Sequence, residues 1–228
     1  MILEKKQFRK NVQINLIQRI MKNIKNIIAG IILFTGLFSC KAQTIISLYE
    51  MEQCAKRLDK TTECPGFENV DITHVKDVDN RLNRFTGTWK GLYNGRQVEL
   101  TLEKKIDFEN YGKKWDQLNG KLKVKDNQGN IIFDSFANSD IEANPYGINF
   151  QGSSYEMSFT ANGDCFDEGM LFLEMLPINL NNPNPQMKIH FIKSTGVETT
   201  NDLSVICPNY STYQTLLPNK IDITLVKQ

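Results

Sequence analysis

The chain has 228 residues, with 27 Lys and Arg, 26 Asp and Glu and two histidines, for a formal net charge of +1. Seven of the basic residues and one acid lie within residues 1–39, so the remainder carries 20 basic and 25 acidic residues, a net of −5. A mildly acidic domain lacks the basic surface that nucleic acid requires, and the length suits one domain with a proper core.

Residues 1–39 read as a signal segment. Lys22 and Lys25 precede twelve uncharged, mostly apolar residues, Ile27 to Phe38, and Ser39-Cys40 follows. A spanning helix needs about 20 apolar residues, whereas the core of a signal peptide needs about 7–15. Met21-Lys22-Asn23 reads as a natural start, which makes residues 1–20 either a long basic region or the product of a mis-assigned start.

Leu37-Phe38-Ser39-Cys40 resembles the lipobox of bacterial lipoproteins, with Phe38 the departure from the small residue usual there. The resemblance implies cleavage before Cys40, acylation of Cys40 by diacylglycerol and a fatty acid such as palmitate, and a mature chain of 189 residues, Cys40–Gln228. Two or three acyl chains anchor stably, each buried CH₂ contributing about 0.8 kcal/mol. Lys41, rather than an acid, follows the cysteine, which by the same resemblance implies an outer-membrane, periplasm-facing address. The expected organisation is a signal peptide over 1–39, a helical and loop segment over 40–84, and a β-domain over 85–228.

Removing Cys40 leaves Cys54, Cys64, Cys165 and Cys207. An even count in an exported chain reads as two disulfides. Of the three pairings, Cys54–Cys64 with Cys165–Cys207 confines each bridge to one part of the chain. The rival, a zinc site, lacks a C-x₂-C pair and nearby histidines.

In chain order, Ser47 and Glu50 form a capping box before Met51, Cys54, Ala55 and Leu58, which recur at helical spacing. A helix is expected there, ending near Asp59–Thr62. A second short helix is expected over Val78–Phe85 with Asp77 as N-cap. Thr88–Tyr93 and Gln97–Glu103 flank Asn94-Gly95, a hairpin turn that needs two positive φ angles. Leu118–Lys125 and Asn130–Phe136 flank Asp126–Gly129 as a second hairpin. Strands follow at Ile148–Gln151, Ser154–Thr160, Met170–Leu176, Gln186–Lys193 and Ile221–Lys227, with Asn179–Pro185 as a connection. Eight or nine short strands with turn signals between them predict a mainly β fold, an antiparallel barrel or sandwich.

Phe85-Thr86-Gly87-Thr88-Trp89 resembles the G-x-W opening motif of lipocalin-like barrels. That resemblance implies a short helix before the first barrel strand and a tryptophan plugging the barrel floor. Lipocalins stack an arginine from the last strand on that tryptophan; here the last strand carries Lys220 and Lys227 but no arginine. The lipobox, the F-x-G-T-W-x-G string and Asp116-Gln117-Leu118-Asn119-Gly120, a D-x-L-x-G strand start, resemble small lipoproteins of unknown function from gliding Gram-negative bacteria. Phe85, Gly87 and Trp89 read as structural, because a glycine relieves a bend and a buried tryptophan dominates a core.

No catalytic set emerges. His74 reads as part of an exposed polar loop, and His190 alternates with Ile189 and Phe191 to face solvent or lumen. Asp164, Asp167 and Glu168 offer oxygens but lack the ligand alternation of an EF-hand, so they read as turn carboxylates and no metal or cofactor is assigned. Glu103 and Asp107 are not credited as a glycosidase pair. The expected function is that of a membrane-anchored, non-enzymatic envelope lipoprotein binding a small apolar ligand or an envelope partner. The alternatives are an envelope hydrolase with strand-borne carboxylates and a purely protein-binding accessory subunit.

Overall fold

The fold was derived from a computed structural model. It describes residues 44–56, 72–110, 112–162, 165, 167–178, 183–194, 207 and 214–228. The chain divides into two units, Met1–Ala42 and Gln43–Gln228, and every described residue belongs to the second. Cys40, the helix end near Asp59–Thr62 and Cys64 lie outside the described residues.

Strand β1 (Thr44–Ser47) leads into helix α1 (Leu48–Lys56). The capping box forms as the S-x-x-E spacing predicts. The Ser47 hydroxyl accepts from the Glu50 N–H at 3.1 Å, and the Glu50 carboxylate accepts from the Ser47 N–H at 2.8 Å. Strand β2 (Ile72–Lys76) runs parallel to β1. Neither β1 nor β2 stood out in the sequence, being short and flanked by polar residues.

The expected helix over Val78–Phe85 is instead a 3₁₀ turn, Arg81–Phe85. Asn80 takes a left-handed conformation, φ 55° and ψ 31°, which stops a helix from starting at Val78. Asp77 still caps: its carboxylate accepts the N–H groups of Arg81 at 2.8 Å and Leu82 at 3.0 Å. Leu82 and Phe85 go into the core, and Val78 stays exposed.

Nine further strands follow: β3 (Gly87–Tyr93), β4 (Arg96–Asn110), β5 (Lys113–Lys125), β6 (Ile131–Asp134), β7 (Tyr146–Gln151), β8 (Ser154–Asn162), β9 (Asp167–Met175), β10 (Gln186–Lys193) and β11 (Asp222–Lys227). Asn94 and Gly95 supply φ angles of 46° and 78°, so the β3–β4 turn has the two positive values its sequence requires. At the β5–β6 turn the Asp126 carboxylate accepts from the N–H groups of Gln128 and Asn130, both at 2.8 Å.

Eight strands, β5-β4-β3-β11-β10-β9-β8-β7, pair antiparallel in that order, and β7 returns to β5. The result is a closed, lipocalin-like barrel, so of the expected barrel or sandwich the barrel holds. Closure removes the unpaired edges of an open sheet. The second edge of β5 serves three partners in turn: β2 at Lys114 and Trp115, β7 at Asn119, and β6 at Lys123–Lys125.

The seam uses the D-x-L-x-G string. Asn119 pairs with Tyr146, and the Gly120 N–H donates to the Pro145 carbonyl at 2.7 Å. A Cβ at Gly120 would lie 2.8 Å from the Pro145 ring, so a side chain there would hold the two strands apart. The Leu118 N–H donates to the buried Tyr155 hydroxyl at 3.2 Å.

Side chains fill the barrel. Trp89, Leu100, Leu122, Tyr155, Phe159, Leu173 and Phe191 are all buried. Each large apolar side chain contributes about 1.5–3 kcal/mol on burial, and eight strands enclose a width that side chains can fill. Phe85, Phe150 and Tyr155 pack ring to ring at centroid distances of 4.9–6.2 Å. Arg81 lies over the Phe150 ring at 3.8 Å and pairs with the buried Glu52 of α1 at 2.7 Å. Glu52 also accepts the Gly152 N–H at 2.9 Å, which ties α1 to the β7–β8 turn.

Candidate functional site

Cys165 and Cys207 form a disulfide, with Cα atoms 5.0 Å apart, as their position in the sequence led us to expect. The partner expected for Cys54, Cys64, lies outside the described residues. Asp167 does not face solvent with Glu168 as a turn carboxylate. It is buried at the start of β9 and accepts the Leu216 N–H at 2.8 Å. Asp164 is outside the described residues.

Phe85, Gly87 and Trp89 come together as the opening motif implies. The Trp89 indole donates to the Phe85 carbonyl at 2.7 Å, which satisfies its one polar atom inside the barrel. The cation over the tryptophan is Lys227, its Nζ 5.4 Å from the ring. Gly87, at φ 114°, leaves room for it, since a Cβ there would sit 2.9 Å from Lys227 Cε.

His190 faces outward on β10 and is half-exposed, its Nδ1 2.7 Å from Asp222. That pair and Lys188 hold the Asp222 carboxyl below the usual carboxylate range. Glu103 pairs with Lys105 at 2.7 Å.

The most concentrated polar site involves His74, which is not in an exposed loop. It is buried on β2, because Ile72-Thr73-His74-Val75-Lys76 forms a strand that docks on β5. Its Nε2 lies 3.0 Å from Asp107 Oδ1 and 3.3 Å from Asp116 Oδ1.

Asp116 begins the D-x-L-x-G string and is buried. Its Oδ2 accepts the Asp77 N–H at 3.0 Å and its Oδ1 accepts the Asp107 N–H at 3.1 Å. Burial pushes this carboxyl up, but the Asp107 and Asp77 N–H groups, aided by His74, outweigh burial and hold it below the usual range. Asp107 sits in a β-bulge of β4, between Lys105 and Phe108, at φ 54°. The bulge turns its half-exposed side chain toward His74. Beside this group, Lys104 Nζ lies 2.8 Å from Asp77 and 3.2 Å from Asn83.

Sequence reasoning missed this assembly, because three residues 9 to 42 positions apart meet only through a bulge and a parallel strand pair. The available signal was Asp116, an acid opening a strand whose next residues alternate into a core.

A surface groove of about 540 Å³ runs along the outer faces of β3, β4, β5 and β11. Leu92, Val226, Lys90 and Lys125 line it, and Leu92 is largely exposed.

No curated protein and no solved structure matches this chain. A family model does, over residues 21–228, and the chain belongs to that family, described as a family of unknown function (DUF6705).

Proposed function

We propose that this protein is a non-enzymatic, lipid-anchored component of the bacterial outer membrane that binds an envelope partner through the outside of its barrel. The lipobox at Cys40 and the −5 charge of the remaining chain support the address. The packing of the barrel supports the outer surface as the working one, and this observation carries the reading. Trp89, Tyr155, Phe159 and Phe191 are buried together with the leucines of β4 and β5, so an apolar ligand would have to displace them. The groove beside Leu92 and Val226, edged by Lys123 and Lys125 and by the Lys90–Glu99 ion pair, suits a protein segment that presents an apolar side chain beside a carboxylate.

The hydrolase alternative draws on Asp107 and Asp116, which lie close together. Asp116 is held ionised by main-chain N–H groups, the wrong state for a proton donor, so nothing here favours that reading.

Fractionation of wild-type and C40S cells tests the address. The wild type is expected in the outer-membrane fraction and C40S in the soluble one; a C40S protein still processed and membrane-bound would refute the anchor. Native mass spectrometry of the protein from its own host tests the working surface. The lipidated mass alone is expected, and a small molecule retained in stoichiometric amount would overturn it. A photo-cross-linker at Leu92 in living cells is expected to capture an envelope protein.

A further inference from the structure

We infer that His74, Asp107 and Asp116 form a binding site for one divalent cation of the zinc class, at the point where the β4–β5 hairpin leaves the barrel and β2 joins it. Nε2 of His74 faces one oxygen from each carboxylate, at 3.0 and 3.3 Å, and all three donor atoms lie within 4.8 Å of one another. Zinc bonds of about 2.0–2.1 Å in a tetrahedral set place neighbouring donors about 3.3 Å apart, close to the two distances from His74 Nε2.

A neutral imidazole carries one proton at Nε2 or Nδ1, so at most one Nε2–H is shared between two carboxylate oxygens, of which Asp116 Oδ1 also accepts the Asp107 N–H. A cation among the three donors satisfies all of them at once. An imidazole with two carboxylates selects a borderline metal over Ca²⁺ or Mg²⁺, which prefer all-oxygen sets.

The supporting shell is also in place. The Asp77 and Asp107 N–H groups fix the Asp116 carboxylate from behind, as outer-shell partners orient ligands in metal sites. Asp107 is 51% exposed, which leaves the solvent side of the three donors open to water or to a fourth ligand. Lys104, a neighbouring cation, is directed to Asp77, Asn80 and Asn83.

The site is independent of the lipid anchor, and its test is separate. The full chain, purified in detergent without an affinity tag and stripped with a chelator, is titrated with Zn²⁺ in competition with a chromophoric chelator. One equivalent is expected to bind with a Kd of about 1 μM or tighter, and a large excess of Ca²⁺ is expected not to displace it. H74A and D107N are expected to weaken binding by about tenfold or more. D107N is the decisive variant if H74A does not fold, because the Asp107 side chain is half-exposed and its main-chain N–H still holds Asp116. A wild-type protein that binds no Zn²⁺ at about 0.1 mM would overturn the site. So would folded D107N with wild-type affinity, which would place the metal elsewhere in the chain.

Discussion

Lys227 lies over the indole of Trp89, Nζ to ring centroid 5.4 Å, and the two residues are directly paired across β11 and β3. A lysine thus occupies the place where lipocalin-like barrels stack an arginine. The contact joins the last strand to the first barrel strand, and the Gln228 N–H donating to the Thr88 carbonyl at 2.9 Å strengthens the junction.

This junction sets a first expectation. Trp89→Ala removes the largest buried side chain and should cost about 3–5 kcal/mol in denaturant unfolding. Lys227→Met should cost about 0.5–1 kcal/mol, and Lys227→Arg should recover most of it, because a guanidinium also lies well over an aromatic face. Gly87→Ala should cost more than Lys227→Met, since the added Cβ meets Lys227 Cε at 2.9 Å on a backbone at φ 114°.

Asp116 gives a pH dependence. Its folded carboxyl lies below the usual range, so the folded state binds its proton less readily than the unfolded chain does. Its contribution is therefore fully present above the ordinary carboxylate pKa and is lost as pH falls through that value towards the folded one. Asp116→Asn should destabilise by about 1–3 kcal/mol at neutral pH, because an amide NH₂ would face one of the two N–H donors. Stability measured from pH 7 downward should then fall less steeply for the variant than for the wild type.

The Cys165–Cys207 bridge closes 42 residues and holds the start of β9 near the segment that precedes β11. Loop-closure entropy for that length gives about 4 kcal/mol as an upper figure. Cys207→Ser should lower the unfolding midpoint accordingly. A thiol titration under denaturing, non-reducing conditions should find Cys165 and Cys207 unreactive in the wild type.

The barrel seam is testable at Tyr155 and Gly147. Tyr155→Phe leaves the buried Leu118 N–H without its acceptor and should cost about 1–2 kcal/mol. Gly147→Ala should cost more. Its Cβ would lie 2.7 Å from the Leu118 carbonyl oxygen and would press on the Tyr155 hydroxyl, forcing β7 away from β5. Hydrogen exchange of β7 amides should report the opening.

Local chemistry made much of this protein legible. Asn94-Gly95 determined a two-residue turn because few other pairs accept two positive φ angles, and Ser47 with Glu50 determined a helix start because both orphan donors find side-chain acceptors. Alternation along β10 put His190 on the face opposite Ile189 and Phe191, and the fold showed that this face is the outer one. The string before Cys40 determined the expected address.

Tertiary structure decided the rest. Closure depends on a short seam between β5 and the start of β7, around Asn119 and Tyr146, whose pairing no local pattern encodes. His74, Asp107 and Asp116 became one site only because a bulge in β4 and the docking of β2 on β5 overrode their sequence separation. Periodicity reports which way a side chain points within its own strand. Which distant side chain it meets depends on strand order and register, and those follow from packing the whole barrel at once.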